Sequence, residues 1–340
     1  MSLDKLFSSE TEFQSAFTRG LDNMLDEDAL GAFILALANA SFDKAIFDSL
    51  SKRLKTGFEK WQQFFQEGED EAEVAPDDAA VFSRLMEAGF DNLQLTQKRM
   101  AGIWQLQYNQ LRSFRPSRNA SATFDSIYKD FDEQGFHFNK PFLQKEILWQ
   151  GQIKQQQVRL LYNKFPFAQM HGLMVINPEQ NKPQLLTEQD HQFVWQMLES
   201  MSDDMPMGVG YNSLGAFSSV NHQHFQTFVD RKKLPVELSW WQHNGGHEIY
   251  PVSCQRFIDA KDAWQRIESL HQADRPYNLL YRKGELYLVT RRFQGSYEHA
   301  KWTEGFAWAE TMGAITLSSR SDFDTLTETM VRSELQQLFV

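Results

Sequence analysis

From about residue 125 the chain is written in short apolar runs that follow one another closely. KEILWQG, QVRLLYNKF, HGLMVINP, MGVGYNS, HQHFQTFV and the pair YNLLYRKGELYLVTRR each read as a strand, and Lys283-Gly284 reads as a hairpin turn. A parallel pair needs a crossover of a dozen or more residues. Several of these gaps are shorter, so the sheet is expected to be largely antiparallel. TEQDHQFVWQMLESM interrupts the strands as a helix, with Thr187 at the N-cap and Asp190 at the third position of a capping box.

The region up to about residue 110 reads as helical. Phe42, Ile46, Leu50, Leu54, Phe58, Trp61 and Phe65 recur at steps of four and three, which makes one apolar stripe, with Ser41 where an N-cap belongs. DALGAFILALANA is apolar nearly throughout and reads as a buried helix. The acidic run EGEDEAEVAPDD (67–78) reads as a solvated loop. AAVFSRLMEAGFDNLQLTQKRMAGIWQLQYNQL is expected to form a further helix, and DFDTLTETMVRSELQQLFV a last one. The expectation is therefore an α+β chain, divided into a helical N-terminal region (1–124) and a sheet domain flanked by helices (125–340).

Composition limits the function classes. With 340 residues, 41% hydrophobic and 14% aromatic, the chain has material for a real core. Its 34 Lys+Arg against 45 Asp+Glu leave a net charge of −11, which argues against a broad hold on nucleic acid or anionic lipid. A local basic pocket for one phosphorylated small molecule stays open. Cys254 is the single cysteine, so neither an intramolecular disulfide framework nor a cysteine-based metal knuckle is available. No run of 18 apolar residues is present, and MSLDKLFSSETEF lacks the apolar core of a signal peptide. No membrane span is expected, and the expected location is cytoplasmic.

Chemistry concentrates in Asn221-His222-Gln223-His224-Phe225-Gln226. On a strand, His222, His224 and Gln226 share one face and require partners or a ligand there. Upstream lies GVGYNSLGAFSS (208–219), small and hydroxyl-rich, whose backbone N–H groups can approach a phosphate closely. It is not a Walker A loop, because no Gly-Lys-Ser/Thr follows. It is not a dinucleotide fingerprint either, since Ser213 stands where glycine is needed.

GYNSLGAFSSVNHQHFQTF resembles the active-site segment of the histidine-triad superfamily in its transferase branch, with the pattern His-x-His-x-Gln. That branch includes galactose-1-phosphate uridylyltransferase, diadenosine polyphosphate phosphorylase and GDP-hexose phosphorylase, and the GDP-hexose phosphorylase type is the most similar. FHFNKPFLQKEILWQ (136–150), NKFPFAQMHGLMVINPEQNKPQLLT (163–187) and, more weakly, EGFAWAETMGAITL (304–317) extend the resemblance over roughly 125–317.

The resemblance implies a double displacement on a nucleoside diphosphate sugar or a dinucleoside polyphosphate, with phosphate or a sugar phosphate as acceptor. It makes His224 the nucleophile, His222 the residue that holds the loop and orients the His224 ring, and Gln226 a donor to phosphoryl oxygen. An amide cannot shuttle a proton, which favours transfer over hydrolysis. Asn212, Ser218, Ser219 and Asn221 are candidate phosphate donors. His171 and Asn163 are candidates to approach the nucleotide, and Lys140, Arg291 and Arg292 to neutralise the second phosphate. No redox cofactor is implied, and the covalent step requires no metal. Two other readings remain. One is a His-ligated metalloenzyme using His222 and His224, with His243, His247 and Glu248 as the other candidate ligands. The other is a non-catalytic nucleotide sensor. Arg112, Arg115 and Arg118 form a small basic cluster able to meet a phosphate, while Arg231-Lys232-Lys233 reads as a solvated loop. The helical third is open to use as a lid, a homodimer surface or a partner-binding unit.

Overall fold

The computed structural model describes residues 7–68, 74–115 and 123–340. Four helices come first: α1 (Glu10–Met24), α2 (Leu30–Phe42), α3 (Lys44–Glu67) and α4 (Pro76–Ala88). Every residue of α2 except Gly31 is buried, as its apolar sequence requires, because α1, α3 and α4 surround it. The stripe of α3 buries Ile46, Leu50, Leu54, Phe58 and Trp61 against it. The cap of α3 is Asp43 and not Ser41: Asp43 Oδ1 accepts from the backbone N–H groups of Ala45 (2.8 Å) and Ile46 (3.2 Å). Ser41 still belongs to α2 and turns its hydroxyl back onto the Ala38 carbonyl.

The expected helix through residue 111 does not run that far. It ends at Ala88, and the chain then forms a hairpin of β1 (Gln97–Ala101) and β2 (Trp104–Tyr108), followed by the short helix α5 (Gln110–Ser113). Gly102, at φ +60°, supplies the left-handed turn that a helix cannot contain. The acidic run is likewise shorter than expected as a loop, because Pro76 begins α4 at a position where its missing N–H costs nothing. Residues 69–73 of that run lie outside the described residues, as does Arg118.

The main sheet holds β3 (Ile147–Ile153), β4 (Gln156–Tyr162), β5 (Gly172–Ile176), β6 (Met207–Asn212), β7 (Phe225–Val229), β8 (Cys254–Phe257), β9 (Tyr277–Arg282) and β10 (Glu285–Thr290). Its order is β3-β4-β5-β7-β6-β9-β10-β8, with every pair antiparallel. Helix α6 (Glu188–Glu199) is capped as expected, with Thr187 Oγ1 accepting from the Asp190 N–H at 3.2 Å. Helix α7 (Ala260–Gln272) packs beside α6. The α+β, largely antiparallel reading holds.

A second, small sheet joins segments from both ends of the chain. After α8 (Trp308–Thr311), β11 (Ala314–Leu317) pairs in parallel with β2 of the hairpin. The tail forms two helices, α9 (Arg320–Thr325) and α10 (Glu328–Gln337), where one was expected, because Thr327 caps the second. The helical region also shares one apolar core with the main sheet. Tyr162 of β4 reaches α1, where its ring lies 4.7 Å from that of Phe17 and its hydroxyl donates to the Phe17 carbonyl at 2.7 Å. This docking brings the N-terminal helices to the rim of the site.

Candidate functional site

His222 and His224 do not lie on a strand, because β7 begins at Phe225. The residues before it turn away from the sheet ladder and bond to the segment preceding α6. The Gln223 N–H donates to the Lys182 carbonyl at 2.9 Å, and the His224 N–H donates to Gln184 Oε1 at 2.9 Å. Gln184 also donates through Nε2 to the carbonyls of His224 (3.2 Å) and Asn212 (2.8 Å). This one buried amide clamps the backbone of His224 on both sides and ties it to the end of β6. No motif in the sequence marks Gln184.

The His224 ring is held in one tautomer. Its Nδ1 lies 2.8 Å from the His222 carbonyl oxygen, which can only accept, so Nδ1 carries the proton. Nε2 is left with its lone pair, and the residue lines a cavity of about 1770 Å³. Burial holds the ring neutral, with its pKa drawn down to about 4. His222 is itself fixed by two backbone contacts. Its Nδ1 accepts from the Phe138 N–H at 3.1 Å, and it hydrogen-bonds the Pro178 backbone. It does not line the cavity.

Of the amide side chains that line the same cavity, Trp308 orients two, Asn212 and Gln226. The Trp308 backbone N–H donates to Asn212 Oδ1, and its indole Nε1–H donates to Gln226 Oε1, each at 2.8 Å. Asn278 adds a second donor to Asn212 Oδ1 at 2.7 Å. With both oxygens occupied, the NH₂ groups are the ends available to a ligand. Gly210 makes room for the indole: a Cβ there would lie 2.3 Å from it. Trp308 stacks on Phe228, with ring centroids 5.1 Å apart.

The small-residue loop is braced from behind. Gly215 takes φ +72°, and a Cβ there would meet the Phe293 ring at 2.4 Å. Phe217 holds φ +67°, an uncommon conformation for a residue with a side chain, while its N–H donates to Gln294 Oε1 at 2.9 Å. Arg291 is part of this bracing. It is fully buried, lies beneath the Phe217 ring, and donates to the Phe306 carbonyl, Tyr297 hydroxyl and Asn278 Oδ1.

The structure thus brings His224, Gln226, Asn212, Ser218, Ser219 and Asn163 to one cavity. It does not bring Asn221, His171, Lys140, Arg291 or Arg292 to its wall. Asn221 bonds the carbonyls of Lys129 and Asp130 and the Gln184 N–H. Lys140 donates to the Glu133 carbonyl, and Arg292 to the Ser296 carbonyl. His171 lies just behind the wall, where its ring hydrogen-bonds Gln226 and accepts from the Phe167 N–H at 3.3 Å. Among the described residues, no group of three or more His, Cys, Asp or Glu could hold a metal ion. His243 instead contacts the Val236 carbonyl at 2.8 Å. Also among the described residues, no helix is long and apolar enough to cross a membrane.

These buried rings make the fold sensitive to acid. Burial pulls His171 and His222 down to about 3 and His224 and His271 to about 4, and lowers His191 and His243 as well. Unfolded imidazoles take up protons near pH 6.5. Between that value and the folded values the unfolded state binds more protons, so stability falls as pH drops. Glu146, pushed up to about 7, and Glu310 and Glu334, also raised by burial, oppose this because their folded forms protonate first. Six rings against three carboxyls set the net direction. The urea midpoint is expected to decrease steadily from pH 7 to pH 4.5, at most about 1.4 kcal/mol per pH unit for each ring. A midpoint that is level or rises over that interval contradicts the assignment.

Parts of the chain are similar to known proteins. Residues 90–228 match the family model described as GDPGP1-like, N-terminal domain. GDP-D-glucose phosphorylase 1 of Danio rerio is 36% identical over 119 residues, 34% of this chain and 33% of that protein. GDP-L-galactose phosphorylase 2 of Arabidopsis thaliana is 26% identical over 150 residues, 38% of this chain and 34% of that protein. The matches therefore span about a third of the length of these curated relatives. Yeast Ap4A phosphorylase Apa2 in complex with Ap4A aligns over 77% of this chain and 97% of its own, at 16% identity and a TM-score of 0.49.

Proposed function

We propose that this chain, whose residues 90–228 match the GDPGP1-like N-terminal domain model, is a phosphorylase-type nucleotidyltransferase. Its donor is a nucleoside diphosphate sugar, in the first instance a GDP-hexose, as the names of the relatives suggest. Its acceptor is inorganic phosphate. The observation that carries this reading is the His224 ring, which is proton-bearing at Nδ1 and neutral, with Nε2 left unprotonated on a residue that lines the cavity.

His224 Nε2 attacks the α-phosphorus, and the bond from that phosphorus to the bridging oxygen of the β-phosphate breaks. A sugar 1-phosphate departs with the electron pair. It is already a stable anion near pH 7, so no general acid is needed, and an amide at Gln226 suffices where a proton donor would be idle. The ring gains positive charge, which the His222 carbonyl stabilises through Nδ1–H. Asn212 and Gln226 point NH₂ groups at the charge that grows on the α-phosphoryl oxygens. Phosphate then attacks the same phosphorus, the phosphorus–nitrogen bond breaks, and a nucleoside diphosphate leaves. His222 serves through its backbone and Gln184 through its clamp; both are positioning residues. The metal-centre alternative finds little support, because among the described residues no third His, Cys, Asp or Glu completes a ligand set with the pair, and His222 bonds the backbone at both Phe138 and Pro178.

The test is a brief incubation of the purified chain with GDP-hexoses and dinucleoside polyphosphates, followed by intact-mass measurement. A mass gain of one nucleoside monophosphate that disappears on adding phosphate is expected. Donor consumption in water alone, at the rate seen with phosphate, overturns the reading.

A further inference from the structure

Transfer between phosphates needs a cation for the second phosphate, and neither Lys140 nor Arg291 reaches the cavity. Among the described residues, Lys60, Arg84, Arg112, Arg115, Lys145 and Lys164 do line it. Four of these are ion-paired: Lys60 with Asp28, Lys145 with Glu27, Lys164 with Asp78, and Arg115 with Glu304. Arg84 is exposed and donates to the Phe114 carbonyl.

Arg112 differs from all five. It stands on α5, which is pinned by the buried Asn109. Asn109 Oδ1 accepts from the Arg112 N–H at 2.8 Å, while its Nδ2 donates to Ser41 Oγ (3.1 Å) and Thr96 Oγ1 (2.8 Å). The guanidinium spends Nη1 on the Phe165 carbonyl and lies 5.1 Å from the Phe167 ring centroid. Among the described residues, no carboxylate pairs with it. Glu304 is engaged with Arg115, and Glu310 accepts from the Ala307 N–H at 3.1 Å. Desolvation draws Arg112 down to about 9, which leaves it charged at pH 7. The side chain is half-buried, and beyond Nη1 its N–H donors have no partner among the described residues, so they are open to an anion.

Its position is on the wall of the cavity that His224, Asn212 and Gln226 also line. The Phe167 ring packs on His171 with centroids 4.3 Å apart, and His171 hydrogen-bonds Gln226. The guanidinium therefore lies two rings, Phe167 and His171, from the amide proposed to face the α-phosphate, on the same cavity. We propose that Arg112 forms a phosphate subsite of this cavity, taking the donor's β-phosphate in the first half-reaction and the attacking inorganic phosphate in the second. In-line displacement puts both opposite His224, so one subsite serves both. The two named ligands rest on the phosphorylase reading; the guanidinium–phosphate contact does not, and it is testable without turnover.

Inorganic phosphate is titrated calorimetrically into the full chain and into R112Q, R112K and R115Q, with melting temperatures as the check on folding. R112Q is expected to weaken phosphate about 10- to 100-fold, the loss of charge-assisted bonds. R112K falls between, as a point charge without the fork, and serves as the test should R112Q not fold. R115Q, already paired in the parent, changes affinity by less than about threefold. In a second arm, the wild type prefers GDP to GMP and R112Q loses that preference. Undetectable phosphate binding by the wild type, wild-type affinity in both Arg112 variants, or a GDP preference retained in R112Q overturns the subsite. Arg112-dependent phosphate binding in a chain that never acquires a nucleotide on His224 keeps the subsite and rejects the covalent reading.

Discussion

His224→Ala is expected to abolish the nucleotide adduct and to lower kcat/KM by about 10⁴-fold or more, which corresponds to roughly 5.4 kcal/mol of transition-state stabilisation. The size follows from the role. An imidazole that forms and then breaks a bond to phosphorus splits one difficult displacement into two easier ones, and among the described residues His224 is the one histidine on the cavity wall. Nucleotide binding should change by less than about tenfold, because the amides of Asn212 and Gln226, proposed to face the phosphate, are oriented by Trp308 and not by the histidine. Added free imidazole separates a nucleophile from a structural ring. It should restore part of the turnover in His224→Ala by entering the space vacated, and it should leave the wild type unchanged. A variant that still acquires one nucleotide by mass would remove His224 from the mechanism.

How much of this was legible beforehand differs by level. Seven of the main sheet's eight strands were visible as short apolar runs ended by turn residues, and the Lys283-Gly284 hairpin formed where it was expected, whereas the four-residue strands β8 and β11 were too short to stand out. The 97–108 hairpin was hidden because Met100, Ile103, Trp104 and Leu111 mimic helical spacing, and one left-handed glycine overrides them. At the site, the residue types were readable and their directions were not. Strand alternation put His222 and His224 on one face, whereas Gln184 draws that backbone off the ladder before β7 begins. Arg291 looked like a phosphate ligand by charge alone, but the buried polar groups of a braced loop compete for the same donors. Trp308 lay in a segment whose resemblance was faint, and its importance comes from two hydrogen bonds that no local pattern encodes. The general lesson is physical: a catalytic motif advertises the atoms that react, while the atoms that aim them are ordinary amides and rings recruited from elsewhere in the chain.

Gln184→Leu tests that lesson at the point where aiming matters most. Leucine matches the volume of glutamine but supplies none of its polar contacts, so the His224 N–H and the carbonyls of His224 and Asn212 lose a partner together. At about 1–3 kcal/mol for each buried group left unpaired, and with partial relaxation, the fold should lose roughly 3–5 kcal/mol, read as a lower urea midpoint. The chemical effect is separate. A reacting atom misplaced by about 1 Å costs on the order of a hundredfold, so adduct formation should slow by about that factor at a temperature where the variant is still folded. The affinity for GMP should move far less, since the cavity's amides remain held by Trp308. Gln184→Glu keeps an acceptor for the His224 N–H but sets a carboxylate against two carbonyl oxygens, and it is expected to be slow as well. If both variants, folded, acquire nucleotide at the wild-type rate, the His224 backbone is aimed by the loop alone and the clamp has no part in catalysis.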